Sequence, residues 1–166
     1  RNFIDGGVFI TKDGTLDVHA LLWGFLNGAK RGGARLEPNA EVTGIHVEDQ
    51  KVRGVATRTG DIACERVVNA AGAWANPMAV LAGARPLPLT PYRRHIIVTQ
   101  PRDDFPVGDW PFTMDTSRHF YFRPESGGIL ASPMDQEPME PCDARTDELQ
   151  VARAAYFLTR FTPKIA

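Results

Sequence analysis

The chain has 166 residues, which is enough for one compact domain, or for one domain and a piece of a second, with a sizeable core. Its formal net charge of -1 lacks the basic excess that nucleic acid or an anionic membrane would favour, and it contains no apolar run long enough to span a membrane. Cys64 and Cys142 are too few to predict a disulfide framework or a zinc knuckle. A cytoplasmic protein without a nucleic-acid partner or a membrane span is therefore expected.

An amphipathic helix is predicted to begin after Asp17. The apolar residues that recur at helical spacing, and so share one face, are Val18, Leu21, Leu22, Phe25, Leu26 and Ala29. The Asp17 carboxylate is expected to cap the N-terminus of this helix, and Gly32-Gly33 permits a left-handed stop. The apolar stripe indicates that the helix packs on another part of the protein.

A three-stranded meander is predicted to follow, because short runs rich in Val and Ile are divided by turn signals at Glu48-Asp49-Gln50-Lys51 and Thr59-Gly60-Asp61. The next run, Arg66-Val67-Val68-Asn69-Ala70-Ala71-Gly72, is apolar without alternation and ends in small residues. Such a run is typical of a buried strand in a different sheet, whose end another backbone or a ligand approaches closely. Small residues are also common where a helix meets a strand without any ligand, so both interpretations stay open.

The second half is predicted to contain a short helix, a long strand, a hairpin and a final helix. Asn76 and Pro77 are expected to start the short helix, and Gly83 to end it. The remaining predicted ranges are Tyr92 to Thr99 for the strand, 119–123 and 128–132 for the hairpin, and about Thr146 to Phe161 for the last helix.

The order and spacing of several short motifs resemble those of the D-amino acid oxidase superfamily, which includes glycine oxidase, sarcosine oxidase and the bacterial D-amino acid dehydrogenases. These motifs are Gly6-Gly7-Val8-Phe9, Leu16-Asp17-Val18, Glu41-Val42-Thr43-Gly44-Ile45, Gly54-Val55-Ala56-Thr57 and Asn69-Ala70-Ala71-Gly72-Ala73-Trp74. Within the superfamily, the later motifs look closest to the bacterial D-arginine dehydrogenases. The later motifs are Arg85-Pro86-Leu87, Arg93-Arg94, Asp109-Trp110-Pro111 and Phe120-Tyr121.

The resemblance implies an α+β fold from a two-domain flavoprotein whose cofactor is FAD. Residues 1–84 would be part of the FAD-binding domain, comprising the helix, the β-meander and the strand that ends at Trp74. Residues 85–166 would be part of a substrate-binding domain, built on a mixed or antiparallel sheet with helices packed on it. Because the chain contains no Gly-x-Gly-x-x-Gly fingerprint for the FAD pyrophosphate, it is expected to be a middle fragment. On this interpretation its partners include the missing N- and C-terminal parts of its own chain, and by itself it holds FAD weakly or not at all.

The resemblance also implies two sets of site residues. By position, Val42 resembles the family residue whose backbone meets the adenosine half of FAD, and Ala70, Ala71, Gly72 and Trp74 resemble the segment that lies along the cofactor. Arg94 and Tyr121 match the arginine and tyrosine that hold the substrate carboxylate, for which a guanidinium and a phenol are well suited. From the residues alone, the favoured interpretation is that Arg94 is a solvated strand residue and Tyr121 a core aromatic with its hydroxyl at the surface.

Two functions follow as alternatives. The first is an FAD-dependent oxidoreductase, a dehydrogenase or an oxidase, that takes a D-amino acid or related small-molecule amine and oxidises it by hydride transfer to flavin N5. The second is a non-catalytic, stand-alone binding or interaction module that retains the substrate-domain fold. No residue is predicted to act as a catalytic base, and the scattered histidines lack the spacing of metal ligands.

Overall fold

The computed structural model describes residue 4 and residues 6–165. The chain divides into two compact units. The meander unit comprises residues 16–90, and the sheet unit comprises the residues up to 15 together with those from 91 onward. Both units combine helices with antiparallel sheets, as expected of an α+β fold. The assignment of residues 1–84 and 85–166 to a flavin domain and a substrate domain stays a prediction.

The meander unit begins with helix α1, Val18–Arg31. The predicted cap is confirmed, since the Asp17 carboxylate accepts a hydrogen bond of 2.9 Å from the Ala20 backbone N–H. The predicted stop is confirmed as well, because Gly33 adopts a φ of +90° directly after the helix. The apolar stripe, by contrast, is uncovered within the described residues, and Phe25 is 72% exposed.

The predicted three-stranded meander is confirmed. Strands β1 (Val42–Glu48), β2 (Lys51–Thr57) and β3 (Gly60–Ala63) pair antiparallel in that order. Gly54 allows β2 and β3 to approach closely, since a Cβ atom there would lie 2.8 Å from the Ile62 carbonyl oxygen.

The prediction of a buried strand that ends in Asn69-Ala70-Ala71-Gly72-Ala73-Trp74 is wrong for the described structure. Residues 66–71 form no strand, and Val68 is 89% exposed. A strand is held by ladder hydrogen bonds to a neighbour, and no strand that the structure describes pairs with this segment. The segment instead leads into a single 3-10 turn, Gly72–Trp74.

Helix α2, Ala75–Leu81, follows the 3-10 turn directly. The expectation that Asn76 caps this helix is wrong, because the preceding turn starts the helix two residues earlier than predicted, with Trp74 at the cap position, and leaves Asn76 inside it. The Asn76 side chain instead accepts a hydrogen bond of 2.8 Å from the Leu87 backbone N–H and donates one of 3.3 Å to the Leu89 carbonyl. Gly83 follows the end of the helix with a φ of +64°, as predicted.

The sheet unit contains two antiparallel sheets. Strand β4 (Tyr92–Arg93) pairs with β9 (Glu137–Pro138), and a four-stranded sheet has the order β5-β8-β7-β6. The strands of the larger sheet are β5 (Ile97–Val98), β6 (Thr113–Asp115), β7 (Phe120–Glu125) and β8 (Gly128–Ser132). The long strand predicted from Tyr92 to Thr99 is therefore divided between the two sheets.

The predicted hairpin is confirmed as β7 and β8. Its two loop residues, Ser126 and Gly127, have φ values of +49° and +81°, which is the backbone that a two-residue hairpin turn requires. Helix α3 (Glu148–Phe161) packs on one face of the larger sheet. This helix begins at Glu148, slightly later than predicted, because Asp147 caps it by accepting a hydrogen bond from the Leu149 N–H.

The core of the sheet unit lies between α3 and the larger sheet. Phe120 is fully buried there and stacks on Phe161, with ring centroids 5.5 Å apart and planes 14° from parallel. The buried core residues are Val107, Phe120, Phe122, Ile129, Ala131 and Leu158. No described helix is both long and apolar enough to cross a membrane.

Candidate functional site on the open face of the sheet

The larger sheet has one face under α3, and no other described helix packs on its opposite face, which is called the open face here. Cross-strand pairing places Val98, Leu130 and Arg123 side by side on the open face, since paired residues point to the same side of a sheet. Tyr121 is two residues before Arg123 on β7, so its side chain points to the same face. Its ring packs against Phe112, with centroids 5.2 Å apart.

Side chains alternate between the two sides from Tyr92 to Val98, even where the ladder is interrupted. Arg93, His95 and Ile97 are covered, whereas Arg94, Ile96 and Val98 are exposed. Arg94 therefore lies on the open side, together with Val98 and Tyr121. Arg94 belongs to no strand, and the alternation puts it on the same exposed side of its segment as Val98, whereas its convergence with Tyr121 on a single ligand stays a prediction.

The guanidinium of Arg94 differs from those of its neighbours in having no described partner. Arg93 is only 15% exposed and forms ion pairs with Glu137 and, at 3.5 Å, with Asp147. Arg123 forms an ion pair of 2.6 Å with Glu125 on the open face. Arg94 makes no hydrogen bond or ion pair with any residue that the structure describes, and within the same limits the Tyr121 hydroxyl makes no hydrogen bond. Both groups are therefore free to bind a polar ligand.

His95 belongs to a buried network that the sequence did not reveal. Its ring Nε2 lies 3.0 Å from the Asp147 backbone nitrogen, which can only donate, so Nε2 must be the unprotonated acceptor. Nδ1 then carries the proton and donates to the Asp135 carboxylate at 2.7 Å. His95 and Asp135 side chains are 7% and 6% exposed. The only sequence signal is the position of His95 beside Arg94, because Asp135 lies 40 residues away.

The Asp135 carboxylate stays ionised within this network. Burial alone would raise its pKa, but hydrogen bonds from the His95 ring and the His95 backbone N–H outweigh burial and hold the pKa of Asp135 below its usual value. The resulting pair consists of a neutral imidazole and an ionised carboxylate. A buried anion that accepts two hydrogen bonds stabilises one arrangement of the atoms around it.

The residues predicted to contact FAD lie in the meander unit. Val42 is half-buried at the start of β1, and the stretch from Ala70 to Trp74 precedes α2, which packs on β1. Gly72 has a φ of +56°, which favours glycine, and no atom lies within 4 Å of the position that its Cβ would take. The Asn69 side chain braces this loop by donating a hydrogen bond of 2.8 Å to the Ala75 carbonyl.

The small residues from Ala70 to Ala73 therefore fit the predicted cofactor, because the backbone at Gly72 is open and these side chains are too small to obstruct a dinucleotide. The individual contacts of Val42, Ala70, Ala71, Gly72 and Trp74 with FAD stay predictions. Among the described residues, no group of three or more His, Cys, Asp or Glu side chains is arranged to hold a metal ion.

A separate cavity of about 210 Å³ in the sheet unit lies beside the tip of the hairpin. Its lining residues are Thr99, Gln100, Arg102, Phe105, Val107, Gly127, Gly128 and Ile129. Neither Arg94 nor Tyr121 lines it, so it is distinct from the predicted carboxylate site.

Known proteins resemble this chain in sequence and in fold. The model of the family described as FAD dependent oxidoreductase matches residues 1–165. The mitochondrial dimethylglycine dehydrogenase of Homo sapiens is 30% identical over 146 residues, which are 86% of this chain and 17% of that protein. Sarcosine oxidase subunit beta of Rhizobium meliloti (strain 1021) is 33% identical over 128 residues, which are 76% of this chain and 30% of that subunit.

Among solved structures, L-proline dehydrogenase from P. horikoshii matches with a TM-score of 0.77 and 28% sequence identity. The match covers 89% of this chain and 39% of that chain. The chain thus spans less than half the length of each of these three proteins.

Proposed function

The chain belongs to the FAD-dependent oxidoreductase family, and we propose that the protein carrying it oxidises small amino acids or N-methylated amino acids, whose carboxylate binds Arg94 and Tyr121. The superfamily and its FAD cofactor, both predicted from the sequence, are confirmed. Closeness to the D-arginine dehydrogenases and a preference for D-amino acids stay predictions.

One observation supports the proposal: a guanidinium and a phenol, neither of which has a described hydrogen-bond or ionic partner, lie on the same exposed side of the sheet unit. The surrounding side chains are apolar, since Ile96, Val98, Phe112 and Met114 are exposed in the same region. A carboxylate would give Arg94 the counter-charge that the described residues do not give it, through two parallel N–H···O bonds. The Tyr121 hydroxyl could donate a third hydrogen bond to the same group.

Binding the carboxylate would fix the orientation of the rest of the substrate. With one end held on the sheet, the α-carbon and its amine have only a small range of positions, which lowers the entropic cost of reaching the reactive geometry. Bound FAD would supply the acceptor for the hydride. In this scheme Arg94 and Tyr121 bind and orient the substrate, and the apolar side chains around them exclude water from it.

The relatives support this substrate class. Dimethylglycine, sarcosine and L-proline, after which the three proteins are named, each carry a carboxylate on the carbon next to an amine. D-Amino acids share this arrangement and differ in configuration or in substitution on nitrogen. We therefore propose that this protein acts on the same chemical unit, with the D-amino acid preference as the more specific part of the proposal.

The test is a substrate panel on the FAD-loaded protein that carries this chain. D-Amino acids, L-proline and N-methylglycine would be compared between wild type and Arg94→Ala, Tyr121→Phe and Arg123→Ala. We expect Arg94→Ala to lower kcat/KM by on the order of 100-fold, as for loss of one partner of a desolvated ion pair. Tyr121→Phe should lower it by up to about tenfold, since it removes one neutral hydrogen bond.

Arg123→Ala is the matched control, because it removes the same charge from the same face but from a guanidinium that already pairs with Glu125. It should change kcat/KM by only a few-fold at most. If Arg94→Ala behaves like Arg123→Ala, the carboxylate site is placed wrongly. If the FAD-loaded wild type oxidises none of these compounds, the non-catalytic binding module becomes the better interpretation.

A further inference from the structure

We propose that Asp135 and His95 are positioning residues for Arg94, holding the peptide group that carries it so that its side chain points to the open face. The inference rests on the proposed function, because it assumes that Arg94 binds the substrate carboxylate. Neither residue would touch the substrate, since both side chains are buried on the opposite side of the strand.

The backbone around Arg94 lacks the usual sheet hydrogen bonds. Residues 94–96 lie between β4 and β5 and belong to neither ladder. Side chains take the place of the ladder here, because Asp135 Oδ1 accepts a hydrogen bond of 2.8 Å from the His95 N–H. In addition, Ser132 Oγ donates a hydrogen bond of 2.7 Å to the His95 carbonyl.

The first of these hydrogen bonds acts on Arg94 directly. The His95 N–H lies in the same rigid peptide plane as the Arg94 carbonyl, so a bond to that N–H fixes the plane that leads into the Arg94 Cα. The position and direction of the Arg94 side chain then follow from the backbone. The Arg94 side chain makes no described hydrogen bond or ion pair. Among the described contacts, the hydrogen bond from the His95 N–H to Asp135 is therefore the one that orients Arg94.

The second oxygen of Asp135 strengthens the anchor. Asp135 Oδ2 accepts the His95 Nδ1 proton at 2.7 Å, while Nε2 accepts from the Asp147 N–H at the start of α3. One carboxylate therefore binds both the backbone and the ring of His95, and the ring joins this strand segment to the helix. Rotating the 94–95 peptide would break a buried, charge-assisted hydrogen bond, which is costly in a low-dielectric interior.

The experiment measures acetate binding by titration calorimetry on the FAD-loaded protein that carries this chain, with acetate as the carboxylate probe. Asp135→Ala removes both hydrogen bonds to His95 and should weaken acetate binding by about tenfold, the scale of coupling through a packed network. Asp135→Asn keeps an acceptor for the His95 N–H but loses the charge. Its affinity for acetate should therefore lie between those of wild type and Asp135→Ala. If Asp135→Ala does not fold, Asp135→Asn carries the test.

Two substitutions of His95 separate the two hydrogen bonds of its ring. An asparagine amide takes the place of Nδ1, so His95→Asn can still donate to Asp135 and should bind acetate nearly as well as wild type. A glutamine amide takes the place of Nε2, so His95→Gln can still contact Asp147 but loses the side-chain hydrogen bond to Asp135 and should bind acetate more weakly, although both variants keep the backbone hydrogen bond to Asp135. Equal affinity of the two variants would overturn the part of the inference in which the His95 ring strengthens the anchor.

Ile129→Val controls for destabilisation alone, because it removes one methyl group from the core of the same sheet without touching residues 94 or 95. It should lower the melting temperature and leave acetate affinity unchanged. If Ile129→Val and Asp135→Ala weaken acetate in proportion to their loss of stability, Asp135 is merely structural and the inference is overturned.

Arg94→Ala distinguishes failure of this inference from failure of the proposed function. If Arg94→Ala abolishes acetate binding while the Asp135 variants retain wild-type affinity, the positioning role is wrong and the carboxylate site stands. If wild type and Arg94→Ala bind acetate equally or not at all, the carboxylate site itself is wrong, and the positioning role fails with it.

Discussion

The two units of the chain differ in how much of their apolar surface is buried. In the sheet unit, Phe120, Ile129, Leu158 and their neighbours form a closed core between one helix and one sheet. In the meander unit the buried residues that the structure describes are Gly54 and Ala75, and α1 has none. Hydrophobic periodicity is strong in α1 as well as in α3, so periodicity shows that a face is suited to burial without showing what buries it. The sheet unit therefore takes its stability from its own core, whereas the meander unit takes little from burial.

The largest expected effect is on the core of the sheet unit. Phe120→Ala should lower its free energy of unfolding by about 4 kcal/mol, because a fully buried aromatic ring is replaced by a cavity. Phe25→Ala, which shortens a largely exposed ring of α1, should change the stability of the meander unit by less than about 0.5 kcal/mol. Urea unfolding measures both.

Tryptophan fluorescence can follow the sheet unit alone. Trp110 packs against Phe105 and Phe122 in that unit, so a chain with Trp23→Phe and Trp74→Phe reports its unfolding. Exchange of the amide protons of β1 and β2 would report on the meander unit. A large effect of Phe25→Ala would mean that α1 is covered in solution, and the contrast between the units would then be wrong.

An intermediate effect is expected from acid, through Asp135. Since the folded state holds the pKa of Asp135 below its unfolded value of about 3.9, ionised Asp135 stabilises the fold above that value. This contribution is lost as the pH falls through the lower pKa of the folded state. Asp135→Asn should therefore lower the free energy of unfolding of the sheet unit at pH 7 by about 2 kcal/mol. Below about pH 4, the stability of this variant should fall less steeply with pH than that of wild type.

Asp104→Asn is the matched control for the acid experiment. The pKa of Asp104 is also lowered, by its hydrogen bond with Arg102, but both side chains are exposed and only two residues apart. Water screens this pair, so its removal should leave the pH dependence of unfolding nearly unchanged. An identical acid profile for Asp135→Asn and wild type would show that the buried carboxylate is not part of the acid response.

The smallest effect compares two helix caps whose hydrogen bonds have the same length, although Asp147 also lies 3.5 Å from Arg93. Asp17 and Asp147 each accept a hydrogen bond of 2.9 Å from a backbone N–H in the first turn of a helix of 14 residues. Asp147→Ala should cost the sheet unit about 1 kcal/mol, because α3 unfolds together with the core. Asp17→Ala should mainly fray α1, which circular dichroism would record as lost helicity without a shift of the main transition. Equal shifts of the transition for both variants would contradict the contrast drawn between α1 and α3.

The elements that the sequence predicted well are those specified by neighbouring residues. The cap at Asp17, the turn at Ser126-Gly127 and the Val-rich meander depend on contacts within a few positions, and all three are present. The predicted strand through Val67 and Val68 failed because a strand also needs a partner, which composition does not provide. The strand from Tyr92 to Thr99 was divided because β9, more than 40 residues away, pairs with its first part only.

The candidate site shows the same limit. The resemblance singled out Arg94 and Tyr121, and strand periodicity was enough to place both on one face once the pairing was known. The distinction between Arg93 and Arg94 required knowledge of Glu137 and Asp147, which lie far along the chain. The role of His95 could not be predicted for the same reason, since a histidine within an apolar run shows nothing of the carboxylate that binds it.

Arg93 and Arg94 are adjacent, but their side chains point to opposite sides of the strand. The structure around them therefore depends on the number of residues between Tyr92 and Val98. Inserting or deleting one residue between Arg94 and Ile97 would turn every preceding side chain to the other side of the strand. Arg94 would then leave the open side, and Arg93 would leave Glu137 and Asp147. Over evolution, this stretch should therefore accept many substitutions at Ile96 or Val98 before it accepts a single change in the number of residues.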